Sequence, residues 1–222
     1  MISIISPAKK LDFTLTQIQR PVTEPIFKAE AFSLASLASE LSVTELSQLM
    51  SISKNLAQLN YERFQKFKKK PIAAETKPAA LAFNGDTYSG LKAEVFSPEE
   101  LDFAQKNLRI LSGLYGLLRP LDSIQPYRLE MGSSLHSHKG DNLYDYWSTD
   151  ITQKLNEELN KNNSYTIINL ASNEYSKVIN FSDLNAKIVN PQFLEERQGD
   201  FKNISFFSKK ARGAMARFII TN

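Results

Sequence analysis

Apolar and polar positions along the chain follow two different periods. Short β-branched apolar runs at "ISIIS", "AALAF", "YTIINLAS", "AKIVN" and "NISFF" predict strands. Helical spacing separates several of them. Ser42 followed by Glu45 is a capping-box signature, in which side chain and backbone satisfy each other's free N–H groups, so a helix is predicted to start there. "SPEELDFAQKNLRIL" repeats the device with Ser97 as cap, Pro98 at the first helical position and Glu100 as the reciprocal partner. Leu101, Ala104, Leu108 and Leu111 then recur at helical spacing and predict one buried stripe.

Gly113 stands where a helix in that register would need a left-handed residue to stop. "NLRILSGLYGLLRPLD" therefore predicts helix, hairpin, helix, with the second piece ending before Pro120. Such a hairpin can approach nucleic acid closely, because glycine exposes backbone N–H groups to phosphate oxygens. A plain turn between helices is the simpler alternative. Gly113 and Gly116 are two residues apart, whereas helix-hairpin-helix modules usually place one residue between their glycines.

Near the C-terminus, "SKKARGAMARFII" at about 100° per residue gathers Ala211, Ala214, Met215, Phe218 and Ile219 on one face. Lys209, Lys210, Arg212 and Arg217 take the opposite arc, with Gly213 and Ala216 between them. Small residues among cations would admit a phosphate backbone, and a merely solvated charged face is the competing reading. In "PYRLEMG", Tyr127, Leu129 and Met131 alternate with Arg128 and Glu130, which predicts an ion pair on one side of an extended segment, with a pocket wall as the alternative. "NLASNEYSK" ends an apolar strand with Asn169, Ser172, Glu174 and Tyr175, where α/β proteins often hold ligands.

Composition narrows the function classes. Apolar residues at 42% and charged residues at 23% fit a globular chain, and 222 residues suffice for one core. No apolar run predicts a membrane span, and "MISIISPAKK" lacks the basic start of a secretion signal, so a cytoplasmic location is expected. With no cysteine, thiol-based peroxide chemistry and thiolate metal sites are excluded. Two histidines, His136 and His138, lie in the polar loop "GSSLHSHKGDN"; no tightly bound metal and no cofactor are expected.

Net charge is only +3, but its distribution is uneven. "RFQKFKKK" holds five cations and no acid, and the segment from Phe201 onward likewise holds five and none.

Taken in order, "ISPAKKLDF", "FNGDTYSGL", "LSGLYGLLRPLD", "PYRLEMG", "INLASNEY" and "KKARGAMARFII" resemble the YaaA family of bacterial peroxide-stress proteins across nearly the whole chain. The resemblance implies a single α+β domain over residues 1–222, a positively charged cleft and a helix-hairpin-helix element. It further implies binding to duplex and branched DNA and a role in limiting iron-dependent peroxide damage. Family members also continue past the "RFII" helix with an acidic and aromatic segment absent from this sequence, so a site completed by that segment is expected to be open.

Two functional readings follow. In the first, the chain is a DNA-binding module using Lys9, Gly113, Gly116, Arg119, Arg128, Lys209, Lys210, Arg212 and Arg217 on phosphates. In the second, Asp86, Tyr88, Ser112, Tyr115, Asp122, Tyr127, Glu130, Ser172 and Tyr175 line a polar pocket of an enzyme acting on a nucleotide or nucleobase. The two differ in whether those polar side chains converge on one cavity.

Overall fold

The computed structural model of the chain describes residues 1–16 and 20–222. Ile2–Ile5 is the middle strand of a five-stranded sheet, and all four of its residues are buried. On one side it pairs in parallel with Leu108–Ser112, which pairs antiparallel with the outer strand Gly116–Leu118. On the other side it pairs in parallel with Thr166–Asn169, and that strand with Lys187–Val189. Helices cover the sheet, giving a mixed α+β fold. Ile2, Ile4 and Ile5 are wholly inaccessible, each worth about 1.5–3 kcal/mol of apolar burial.

Both capping boxes form. Ser42 and Glu45 start the helix Val43–Met50, and Ser97 and Glu100 start Pro98–Asn107. The second helix is shorter than its apolar stripe suggests. It stops at Asn107, and Leu108–Ser112 leaves it directly as a strand buried at every position. A strand covered on both faces reads as an unbroken apolar run, so Leu108 and Leu111 satisfied the helical spacing by coincidence.

The glycine segment is consequently a β-hairpin between Ser112 and Gly116, and a helix-hairpin-helix is absent from that segment. It sits beneath the helix Leu143–Lys161, whose Trp147 is fully buried. The Trp147 indole N–H donates to the Gly113 carbonyl at 2.9 Å. Gly116 has φ +65°, and a Cβ there would lie 2.8 Å from the Trp147 ring. These glycines serve the turn and the indole contact, and their backbone is closed to a phosphate.

Two predicted strands also change identity. "AALAF" is mostly a single helical turn, Ala79–Ala82, with only Phe83–Asn84 extended. "NISFF" runs into the C-terminal helix Ser205–Thr221, with Ile204 at its N-cap. That helix turns a different face inward from the one its sequence suggests. Ser208, Gly213, Ala216 and Ile220 are buried, whereas Phe218 is 62% exposed.

The reason lies in its neighbour, Asp86–Leu91. A Cβ on Gly213 would fall 1.8 Å from the Thr87 carbonyl oxygen, and one on Gly90 would fall 2.2 Å from that of Lys210. The two backbones touch through paired glycines, and this crossing overrides the larger apolar side chains. Small residues that resembled a phosphate seat are a helix contact.

Candidate functional site

The sheet order creates the site. From the middle strand the chain passes to Leu108–Ser112 on one side and later to Thr166–Asn169 on the other. Loops leaving the C-terminal ends of Ile2–Ile5 and Thr166–Asn169 therefore diverge, opening a crevice of the kind in which α/β sheets hold ligands. Residues Ser6 to Lys10 form one wall and Leu170 to Tyr175 another. Asn84 to Thr87 and the C-terminal helix, through Lys209 and Arg212, close the remaining sides around a cavity of about 390 Å³.

The floor is tightly organised. The Leu170 N–H donates to the Ile4 carbonyl at 2.9 Å, extending the pairing past the strand. The Ser172 N–H donates to Ser6 Oγ at 2.9 Å, and Ser6 Oγ donates to Ser172 Oγ at 3.2 Å. With Ser6 Oγ thus engaged, the Ser172 hydroxyl proton remains unused among the described residues. Tyr88 Oη donates to the Ser6 carbonyl at 3.1 Å and holds the first loop down.

Charge in the crevice is mixed. Lys9, Lys10, Lys209 and Arg212 line it together with Asp86 and Glu174. Lys9 Nζ lies 2.5 Å from Glu130, whose other oxygen takes Arg128 at 2.8 Å. Arg212 is half-buried, and among the described residues its guanidinium makes no hydrogen bond or ion pair. Burial pulls its pKa below the ordinary arginine value, yet a guanidinium stays charged at neutral pH. A partly desolvated cation with no partner is costly, and an anion in the crevice relieves that cost.

The expected site residues divide into three groups. Lys9, Asp86, Ser172, Tyr175, Lys209 and Arg212 meet at the crevice. Arg128, Glu130 and Tyr127 sit in an adjoining narrow cleft that shares Lys9 and Tyr175 with it. The ion pair of Arg128 with Glu130 forms as the alternation predicts, with Tyr127, Leu129 and Met131 buried opposite.

The others are elsewhere. Ser112 Oγ lies 2.6 Å from Tyr127 Oη and accepts from the Tyr115 N–H, making a buried network. Asp122 is wholly buried. It accepts from Thr23 Oγ1 at 2.6 Å and from Arg119, while burial pushes its carboxyl upward. Arg217 donates to the Lys92 carbonyl and stacks on Phe96, and exposed Lys210 lies outside the crevice wall. Burial raises the Tyr88, Tyr127 and Tyr175 phenols well above their ordinary value, so they remain protonated. His136 pairs with Asp141 at the surface.

Ser6, Lys10 and Asn84 escaped sequence reasoning. Ser6 and Lys10 carried one usable signal, their place just after the first apolar run.

The family model for peroxide stress protein YaaA matches residues 1–222. The chain belongs to that family. A UPF0246 protein of Ruegeria pomeroyi is 48% identical over 99% of this chain and 85% of its own length. Another from Idiomarina loihiensis is 49% identical over the same shares, and one from Aliivibrio fischeri is 46% identical over all of this chain and 86% of its own. In this YaaA-family chain, no helix among the described residues is long and apolar enough to cross a membrane.

Proposed function

We propose that this protein serves the peroxide stress response as a cytoplasmic DNA-binding module, a single domain over residues 1–222. Its contact with the phosphate backbone is made by Lys10, Lys209 and Arg212 around the crevice, with Lys9 beside them. The observation that supports this reading best is the half-buried Arg212 guanidinium at the crevice wall, which has no hydrogen-bond or ion-pair partner among the described residues. Phosphate is its natural partner, because the planar fork of donors matches two phosphate oxygens. Protection against iron-dependent damage then comes from occupying DNA, since a chain with no cysteine has no thiol to reduce peroxide.

Duplex DNA is expected to bind with little sequence preference and an affinity that falls steeply with salt, as each phosphate contact releases counterions. Changing Lys209 and Arg212 together to alanine should weaken binding and reduce the salt slope by about two. Fluorescence anisotropy at several salt concentrations measures both. A wild-type affinity indifferent to salt, or an unchanged slope in the double variant, would remove this reading.

A further inference from the structure

Phosphate contacts explain the cations of the crevice and leave its carboxylates unexplained. Asp86 lines the cavity beside Lys9, Lys10 and Arg212, and among the described residues its carboxylate makes no hydrogen bond or ion pair. Glu174, on another wall of the cavity, accepts among the described residues only a long hydrogen bond from the Gly132 N–H at 3.4 Å. A surface meant for phosphates alone gains nothing from two carboxylates, because each repels the ligand. They are useful if the same ligand also presents hydrogen-bond donors.

Size gives a second constraint. A cavity of about 390 Å³ is near the lower end of small-molecule sites, about 300–1,000 Å³, and is closed on several sides by separate chain segments. A duplex can lie against its rim but is too wide to enter it, whereas one nucleotide fits inside. The buried Tyr175 ring and the Ser172 hydroxyl, whose proton is unused among the described residues, add an aromatic surface and a donor to the same cavity.

We infer that the crevice is a mononucleotide site, with the phosphate held by Arg212 and Lys209 and a donor-bearing base edge held by Asp86. Carboxylates accept from exocyclic amines such as that of cytosine, so a base with such an amine is preferred to thymine. Free nucleotide and a nucleotide turned out of a DNA strand share this chemistry. The phosphate half of the inference rests on the reading above; the base half stands on Asp86 and the cavity.

Two titrations of the full chain test it. In the first, dCMP, dTMP and inorganic phosphate are titrated calorimetrically into the wild type and the Asp86→Asn, Asp86→Ala and Arg212→Ala variants, with circular dichroism to verify folding. dCMP should bind more tightly than dTMP or phosphate. Either Asp86 change should weaken dCMP about tenfold, the scale of a hydrogen bond to a charged group, and leave phosphate binding no weaker, because a repelling charge is removed. Arg212→Ala should weaken all three.

In the second, a duplex with one mismatched 2-aminopurine is compared with its fully paired form. A fluorescence rise on binding that Asp86→Asn abolishes identifies the strand as the source, at the modest unstacking cost of a mismatched base. dCMP binding without that rise identifies free nucleotide. The inference is overturned if dCMP binds no better than phosphate and the mismatch gives no rise, or if Asp86 changes leave both signals intact. Salt-dependent binding of the paired duplex would then still support the backbone reading, and nucleotide binding without duplex binding would remove that reading alone.

Discussion

Gly213→Ala is expected to cost the protein both stability and its crevice. The new methyl would fall 1.8 Å from the Thr87 carbonyl oxygen, a backbone atom that no side-chain rotation can move aside. Relief requires the C-terminal helix to lift from Asp86–Leu91. Overpacking of this kind costs about 1–3 kcal/mol, and a clash with backbone belongs at the upper end. For a chain of this size each kcal/mol lowers Tm by about 2–4 °C, which thermal unfolding resolves. Lys209 and Arg212 ride on the displaced helix while Asp86 belongs to the other, so phosphate and DNA binding should fall together with Tm. Gly90→Ala should reproduce the effect from the opposite side, where Lys210 O is 2.2 Å from the new atom. An unchanged Tm with full binding in both variants would mean that this crossing does not position the crevice.

A second large effect is expected inside the sheet. Arg109 lies in the buried strand Leu108–Ser112, and its Nε donates to Glu158 on the long helix at 2.5 Å. Their side chains are only 4% and 10% exposed, so neither charge can turn to water if the other is lost. The guanidinium also donates to the carbonyls of Gln105, Lys106 and Leu108, tying the end of one helix to the strand that follows it. Glu158→Ala should cost about 3–5 kcal/mol, the usual penalty for stranding a buried charge. Arg109→Met together with Glu158→Leu should recover much of that loss, because two well-packed apolar groups leave no charge to solvate. Urea denaturation of Glu158→Ala, of the single variants Arg109→Met and Glu158→Leu, and of their double variant checks the pattern. Additive losses would show that the pair is not coupled.

The crevice was only half legible beforehand, and the division follows the range of the forces involved. Arg128 and Glu130 could be paired from alternation alone, since two residues on an extended chain share a side. Ser42 and Ser97 could be named as caps because their partners lie three residues away. Lys209 and Arg212 were recognisable as cations on one helix, but nothing local shows that Arg212 reaches a cavity while Arg217 is committed to Lys92 and Phe96. Ser112 and Tyr115 looked like pocket chemistry and are held in a buried network with Tyr127, which itself borders the narrow cleft. Polar residue types are the same in both cases, and only the presence of partners separates them.

By itself, then, the sequence determined the helix starts at Ser42 and Ser97, three strands of the sheet, the alternation through Tyr127 to Met131, the absence of thiol chemistry and the family. Each depends on contacts within a few residues, on residue type or on the order of motifs. Tertiary structure alone decided that Leu108–Ser112 is a strand, because burial on both faces erases the periodicity that would distinguish it from a helix. It likewise decided the inward face of the C-terminal helix, through a glycine crossing whose energy depends on a second backbone distant in sequence. And it made the crevice, since Ser6 to Lys10, Asn84 to Thr87, Leu170 to Tyr175 and the Lys209 to Arg212 turn meet only where the sheet changes direction around its middle strand.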